Sequence, residues 1–207
     1  RRGDLRMLFW PPKRFLRFLS CVGIGVPIWF MVGVILMFAP EFAKVLQIQG
    51  KVTAGYAILF GYAGLSIGDI LTGVLSQKVR SRKKVVLGAL LTLLVLVYAT
   101  LLSRGMTSQV FYTYCLLLGI AGGYWALFVT VAAEQVGTNI RSLVAISAPN
   151  FVRGSVAIIT SAFSFGVPSM GLVGSALTVG TVTIALGLLS LHALEETFGK
   201  DLNYVER

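Results

Sequence analysis

The feature that leaves this chain the fewest possible folds is its succession of long apolar runs joined by short polar stretches, sharpest from Gly61 to Lys84 (GYAGLSIGDILTGVLSQKVRSRKK). There an apolar segment runs onto Lys78, Arg80, Arg82, Lys83 and Lys84, and the next apolar run starts at once at Val85. Irregular backbone exposed to lipid leaves its polar groups unsatisfied, so the pattern predicts two membrane-spanning helices joined by a tight basic loop. Asp69 precedes Lys78 by nine residues, roughly 13 Å along a helix and therefore inside the hydrocarbon layer. An acid at that depth is costly and marks a candidate functional site.

Composition supports the same class. Of 207 residues, 56% are hydrophobic and 13% charged, and the mean hydropathy is +0.84, too apolar for a soluble domain with a charged surface. The net charge of +10 falls in blocks beside the apolar runs, as the positive-inside rule requires, and no nucleic-acid partner is expected. Cys21 and Cys115 lie inside apolar runs and suit neither a disulfide framework nor a zinc site. With one histidine, His192, and no nucleophile-and-base or ligand spacing, neither an enzyme nor a metal or other cofactor is expected. The chain opens on Arg1, and its first apolar run is too long for a signal peptide, so a fragment of a longer protein is expected.

Six spans are predicted, at about 15–38, 53–77, 85–103, 109–133, 141–167 and 170–191, forming an all-α membrane bundle over 15–191. Residues 1–14 read as the end of a cytoplasmic loop, with Arg1 to Lys13 as a strip at the lipid interface, and 192–207 as a cytoplasmic tail. Ala39 to Val52 reads as an exterior loop, and Val85 to Ser103, built of Leu, Val and Ala, as lipid-facing support. With both ends inside, 14 of the 18 Lys and Arg fall on the cytoplasmic side and only Lys44, Lys51 and Arg104 outside. That asymmetry predicts a multi-pass protein of a plasma or bacterial inner membrane.

The two triplets of spans echo each other. Gly23, Gly25, Pro27 and Trp29 in the first span match Gly119, Gly122, Gly123 and Trp125 in the fourth. A buried charge follows in each second span, Asp69 descending and Arg153 ascending; Arg153 is twelve residues past Arg141, roughly 18 Å along the helix. This 3+3 pattern is that of an inverted repeat, whose interface is where such folds bind solutes.

Three motifs, in order, carry a resemblance. Gly73 to Lys84 (GVLSQKVRSRKK) resembles the glycine-to-basic loop between the second and third helices of each half of major facilitator superfamily transporters, with Gln77 where Asp is common and Arg80 where Gly is common. Glu134 to Arg141 (EQVGTNIR) resembles the Glu-x-x-Pro-x-x-x-Arg element between that family's tenth and eleventh helices, with Gly137 for Pro. Glu195 to Lys200 (EETFGK) resembles the tail after the twelfth helix in sugar-porter-like members. The resemblance implies the C-terminal six-helix half of a twelve-helix metabolite:proton symporter, with an N-terminal half, or a second copy of this chain, as partner beside membrane lipids, a small solute and protons. The glutamine-rich signature of hexose carriers is missing from the first span, CVGIGVPIWF.

The candidate residues follow. Asp69 is expected to couple protons or to face the substrate as a counter-ion; the alternative is a structural acid with a fixed partner. Arg153 with Asn150, three residues apart on one helix face, suits a carboxylate or phosphate; the alternative is an ion pair with Asp69. Trp29, Tyr124 and Trp125 are candidates to line a cavity, against plain packing. Gly73, Lys78, Arg80, Arg82, Glu134, Arg141 and Glu196 form the cytoplasmic gate that the resemblance implies, against a set of solvated helix ends. The expected function is secondary transport of a small organic solute, an anionic metabolite or sugar-like compound, by alternating access. The competing reading is a receptor or scaffold of the same fold that moves nothing. A channel is disfavoured because no span carries a row of like polar groups.

Overall fold

The computed structural model describes residues 9–205; the interfacial strip expected over 1–13 falls outside that range up to residue 8. Helix α1 (Pro12–Phe30) opens with Pro12, whose missing N–H costs nothing in a first turn, and runs on into a π-helical segment, Met31–Leu36. It is followed by α2 (Ala39–Val45), α3 (Ala54–Val79), α4 (Arg82–Leu102), α5 (Ser108–Gly122), α6 (Trp125–Glu134) and α7 (Arg141–Ala193). Hydroxyl side chains start three of them: Thr53, Ser81 and Thr107 accept from Tyr56, Lys84 and Val110 N–H respectively, satisfying one orphan donor each. Among the described residues five helical runs are long and apolar enough to cross a membrane.

The last of these differs from the expected pair of spans with a break between them. Straight, 53 residues would reach about 80 Å, far beyond a bilayer core of about 30 Å. The run folds back at Gly171, whose φ of 71° and ψ of 170° suit a residue without Cβ. The Ser175 hydroxyl donates to Phe163 O at 2.6 Å across the bend. The first arm runs parallel to α1, with Val152 against Gly25 and Val156 against Gly33, and the second antiparallel, with Ser190 against Gly23 and Gly180 against Phe30. Helix α1 is thereby the most enclosed span.

Helix α3 instead packs on α5, parallel to it, through one face made of Ala57, Gly61, Gly64, Gly68, Thr72 and Ser76. A Cβ at Gly64 would lie 2.1 Å from Leu116 O, and one at Gly68 2.3 Å from Ile120 O, so the backbones meet directly, the small-residue packing available where lipid removes the hydrophobic drive. Gly55 and Gly73 of the same helix face open space. Helix α4 is two-faced rather than wholly lipid-facing: Val86, Leu90, Leu93, Val97 and Leu101 are buried, while Leu87, Leu91, Val95, Tyr98 and Leu102 are exposed. The expected loop after the first span contains α2, because Phe42 and Leu46 bury completely beneath it.

Candidate functional site

The fourth span is not one helix. The ladder stops at Gly122, passes through Gly123 and Tyr124, and restarts at Trp125. A break inside hydrocarbon leaves carbonyls at one end and N–H groups at the other without partners. Helix α3 supplies both: the Thr72 hydroxyl donates to Gly123 O at 2.8 Å, and Asp69 Oδ1 accepts from Ala126 N–H at 2.9 Å. The carboxylate therefore sits at the positive end of α6.

Beside this break lies a cavity of about 240 Å³ lined by residues of α1, its π segment, α3, α6 and α7. Four of the expected residues meet there: Trp29, Asp69, Trp125 and Arg153. The two indoles pack edge to face at 6.2 Å, and the Arg153 guanidinium stands 5.3 Å from the Trp125 ring, a cation–π distance. Asn150 does not line the cavity but holds Arg153 through Oδ1 at 3.5 Å. Asp69 and Arg153 share the space without an ion pair; Asp69 is half-buried and Arg153 exposed, where the sequence pattern had both buried, because the cavity opens at the surface of these helices. The indole N–H of Trp29 is buried without an acceptor among the described residues.

Tyr124 departs from the expected set. It is fully buried and its hydroxyl donates to Ile24 O at 2.9 Å, tying the break to α1. Its place beside Trp125 in sequence suggested a shared role, but at the break the backbone turns the two side chains to different sides. Tyr62 and Ser66 line the cavity and were missed. Their spacing of seven and three residues before Asp69 sets them on its helix face, and that periodicity was the available signal.

A polar network closes the opposite, basic end of the bundle. Arg82 grips Glu134 with two bonds of 2.8 Å, the side chains only 15% and 12% exposed. Glu196 accepts from the Ser81 hydroxyl and from Arg82 and Lys83 N–H at 3.0 and 3.3 Å, so the tail caps α4. Arg141 lies at the same end but donates to Leu202 O at 2.6 Å rather than to a carboxylate. Gln135, completely buried, is the hub that sequence reading overlooked: its carbonyl accepts from Arg17 and Tyr204, and its amide donates to Glu195 O. The start of α1 and the tail therefore share one face of the bundle. Gly73, Lys78 and Arg80 stand apart from this network: Gly73 faces open space, both cations are exposed, and Arg80 serves as the left-handed residue (φ 52°) that ends α3.

Burial pushes the Glu196 carboxyl up, but hydrogen bonds from Ser81 and from Phe198, Arg82 and Lys83 N–H outweigh it and hold the group below its ordinary value of 4.5. A carboxyl lowered by folding stabilises above its unfolded value and loses that contribution as pH falls through the lowered one. Protection of the Arg82 and Lys83 amides, relative to the exchange of an unstructured chain at the same pH, is expected to be high at neutral pH, to fall below pH 4.5, and to be low at every pH in Glu196→Ala. Equal protection of the variant at pH 7 would remove Glu196 as the cap.

No family model matches this chain, and no curated protein and no solved structure matches it.

Proposed function

We propose that this chain is the C-terminal half of a major facilitator-type secondary transporter, moving a small polar or anionic organic solute by alternating access with proton coupling. The observation that carries the reading is the convergence of Asp69, Arg153, Trp29 and Trp125 on one cavity beside a broken span. Two opposite charges at membrane depth are costly unless used. A guanidinium standing over an indole keeps its N–H groups for a carboxylate or phosphate.

Packing supports an inverted repeat. The first span lies parallel to the first arm of α7, the second span of the other triplet, and α3 lies parallel to α5. That reciprocity is what a twofold axis in the membrane plane generates. The cavity, at about 240 Å³, is smaller than the roughly 300 Å³ and upward of most ligand pockets, in keeping with a complementary half closing over it. The basic end is assigned to the cytoplasm of a cell membrane.

The test uses the intact transporter in proteoliposomes. Arg153→Ala is expected to weaken binding of an anionic solute at least tenfold, the cost of one charge-assisted bond in a dry site. Asp69→Asn keeps an oxygen that can accept from Ala126 N–H, so it should fold normally, abolish pH-gradient-driven accumulation and leave solute exchange. Wild-type accumulation by Asp69→Asn would remove proton coupling, and undiminished anion binding by Arg153→Ala would remove the anionic substrate.

A further inference from the structure

A second cavity, of about 400 Å³, lies on the outside of the bundle between α3, α4 and α5, away from the site above. Its floor is a stripe one turn apart along α4, Lys84, Gly88, Thr92 and Leu96, walled by Leu71 and Leu75 of α3 and Leu117 of α5. No atom stands within 4 Å of where a Cβ of Gly88 would be. The polar groups along it are already spent: Thr92 donates to Gly88 O at 2.8 Å and Thr72 to Gly123 O at 2.8 Å, so both present methyl groups. Only one end is charged. Lys84 lines that end, Lys78 lies on the same α3 face as Leu71 and Leu75, and Arg80 follows in the two-residue joint. All three are exposed, and among the described residues none of their side-chain nitrogens has a hydrogen-bond or ion-pair partner.

We infer that this groove is a binding site for one anionic phospholipid in the leaflet that carries the basic joint. The twelve helical steps from Lys84 to Leu96 span roughly 18 Å, close to the depth of one leaflet, about 15 Å. An acyl chain fills a dry channel of that length, and its phosphate meets Lys84, Lys78 and Arg80 at the mouth. Unpartnered cations at a groove's open end and none along it match a headgroup with a tail. A soluble anion would need polar groups inside, and a protein helix would leave the three cations uncompensated.

The experiment is native mass spectrometry of the intact polypeptide carrying these residues, taken from vesicles of equal phosphatidylglycerol and phosphatidylcholine. Wild type is expected to retain one phosphatidylglycerol in preference to phosphatidylcholine. Lys84→Gln should cut that preference about fivefold, the effect of one cation near an anionic headgroup. Lys84→Glu should invert it, and Gly88→Phe, which fills the channel and leaves the cations in place, should release the lipid. Three results would overturn the inference: equal retention of both lipids by wild type, an undiminished preference in Gly88→Phe, or a second protein copy seated where the lipid should be. Lys84 is exposed, so its variants keep the test open if Gly88→Phe misfolds.

Discussion

Gly68→Val is expected to destabilise the bundle by about 3 kcal/mol, the upper end of what overpacking costs, because the opposing groups cannot move. Even a single Cβ at this position would lie 2.3 Å from Ile120 O and 2.8 Å from Gly123 Cα. Those are backbone atoms of the neighbouring helix, so no rotamer change relieves the contact, and α3 must separate from α5. Separation also pulls Thr72 from Gly123 O and Asp69 from Ala126 N–H, uncovering both ends of the broken span. Gly73→Ala makes the control: nothing lies within 4 Å there, and the helix gains about 0.5 to 1 kcal/mol from the lost glycine entropy. Detergent-denaturation midpoints of the two variants measure the contrast. Similar midpoints would mean that the close approach of α3 and α5 is not what holds them.

Glu134→Gln is expected to cost about 3 kcal/mol at the basic end. It strips the charged partner from an Arg82 that is largely enclosed and lies over the Phe198 ring at 5.7 Å. Breaking a buried pair costs more than the pair contributes, because one charge stays without compensation. In the proposed alternating-access cycle the pair would belong to the closed state, so its loss is also expected to move the equilibrium between states, by about two orders of magnitude for 3 kcal/mol. Spin-label distances across the basic end of the intact protein should shift toward the open form. The exchange Arg82→Glu with Glu134→Arg should restore part of the closed population. Unchanged distances in Glu134→Gln would make the pair a mere helix tie.

Much of the site was legible because hydrocarbon makes polar residues conspicuous. Asp69 and Arg153 stand out in apolar runs, and Trp29 and Trp125 sit beside glycine clusters; all four meet at the cavity. Asp69 carries more than a charge-based reading contains, since it also closes the restarted helix at Ala126. Among the residues expected to form a gate, Arg82, Glu134 and Glu196 join in one network, while Lys78 and Arg80 do not. Five positive charges within seven residues look alike in sequence, and only the direction each takes around a two-residue turn separates Arg82, paired with Glu134, and Lys83, donating to Leu194 O, from the exposed Lys78, Arg80 and Lys84.

By itself the sequence determined the helical class and the positions of most joints, because a bilayer requires long apolar runs with hydrogen bonds satisfied inside each run. Tertiary structure alone decided where helices break and which faces meet. The restart at Trp125 depends on an acceptor from another helix, the reversal at Gly171 on Ser175 finding Phe163 O, and the role of each α3 glycine on whether another backbone stands opposite it. These are contacts between residues distant in the chain, and local periodicity carries no information about them.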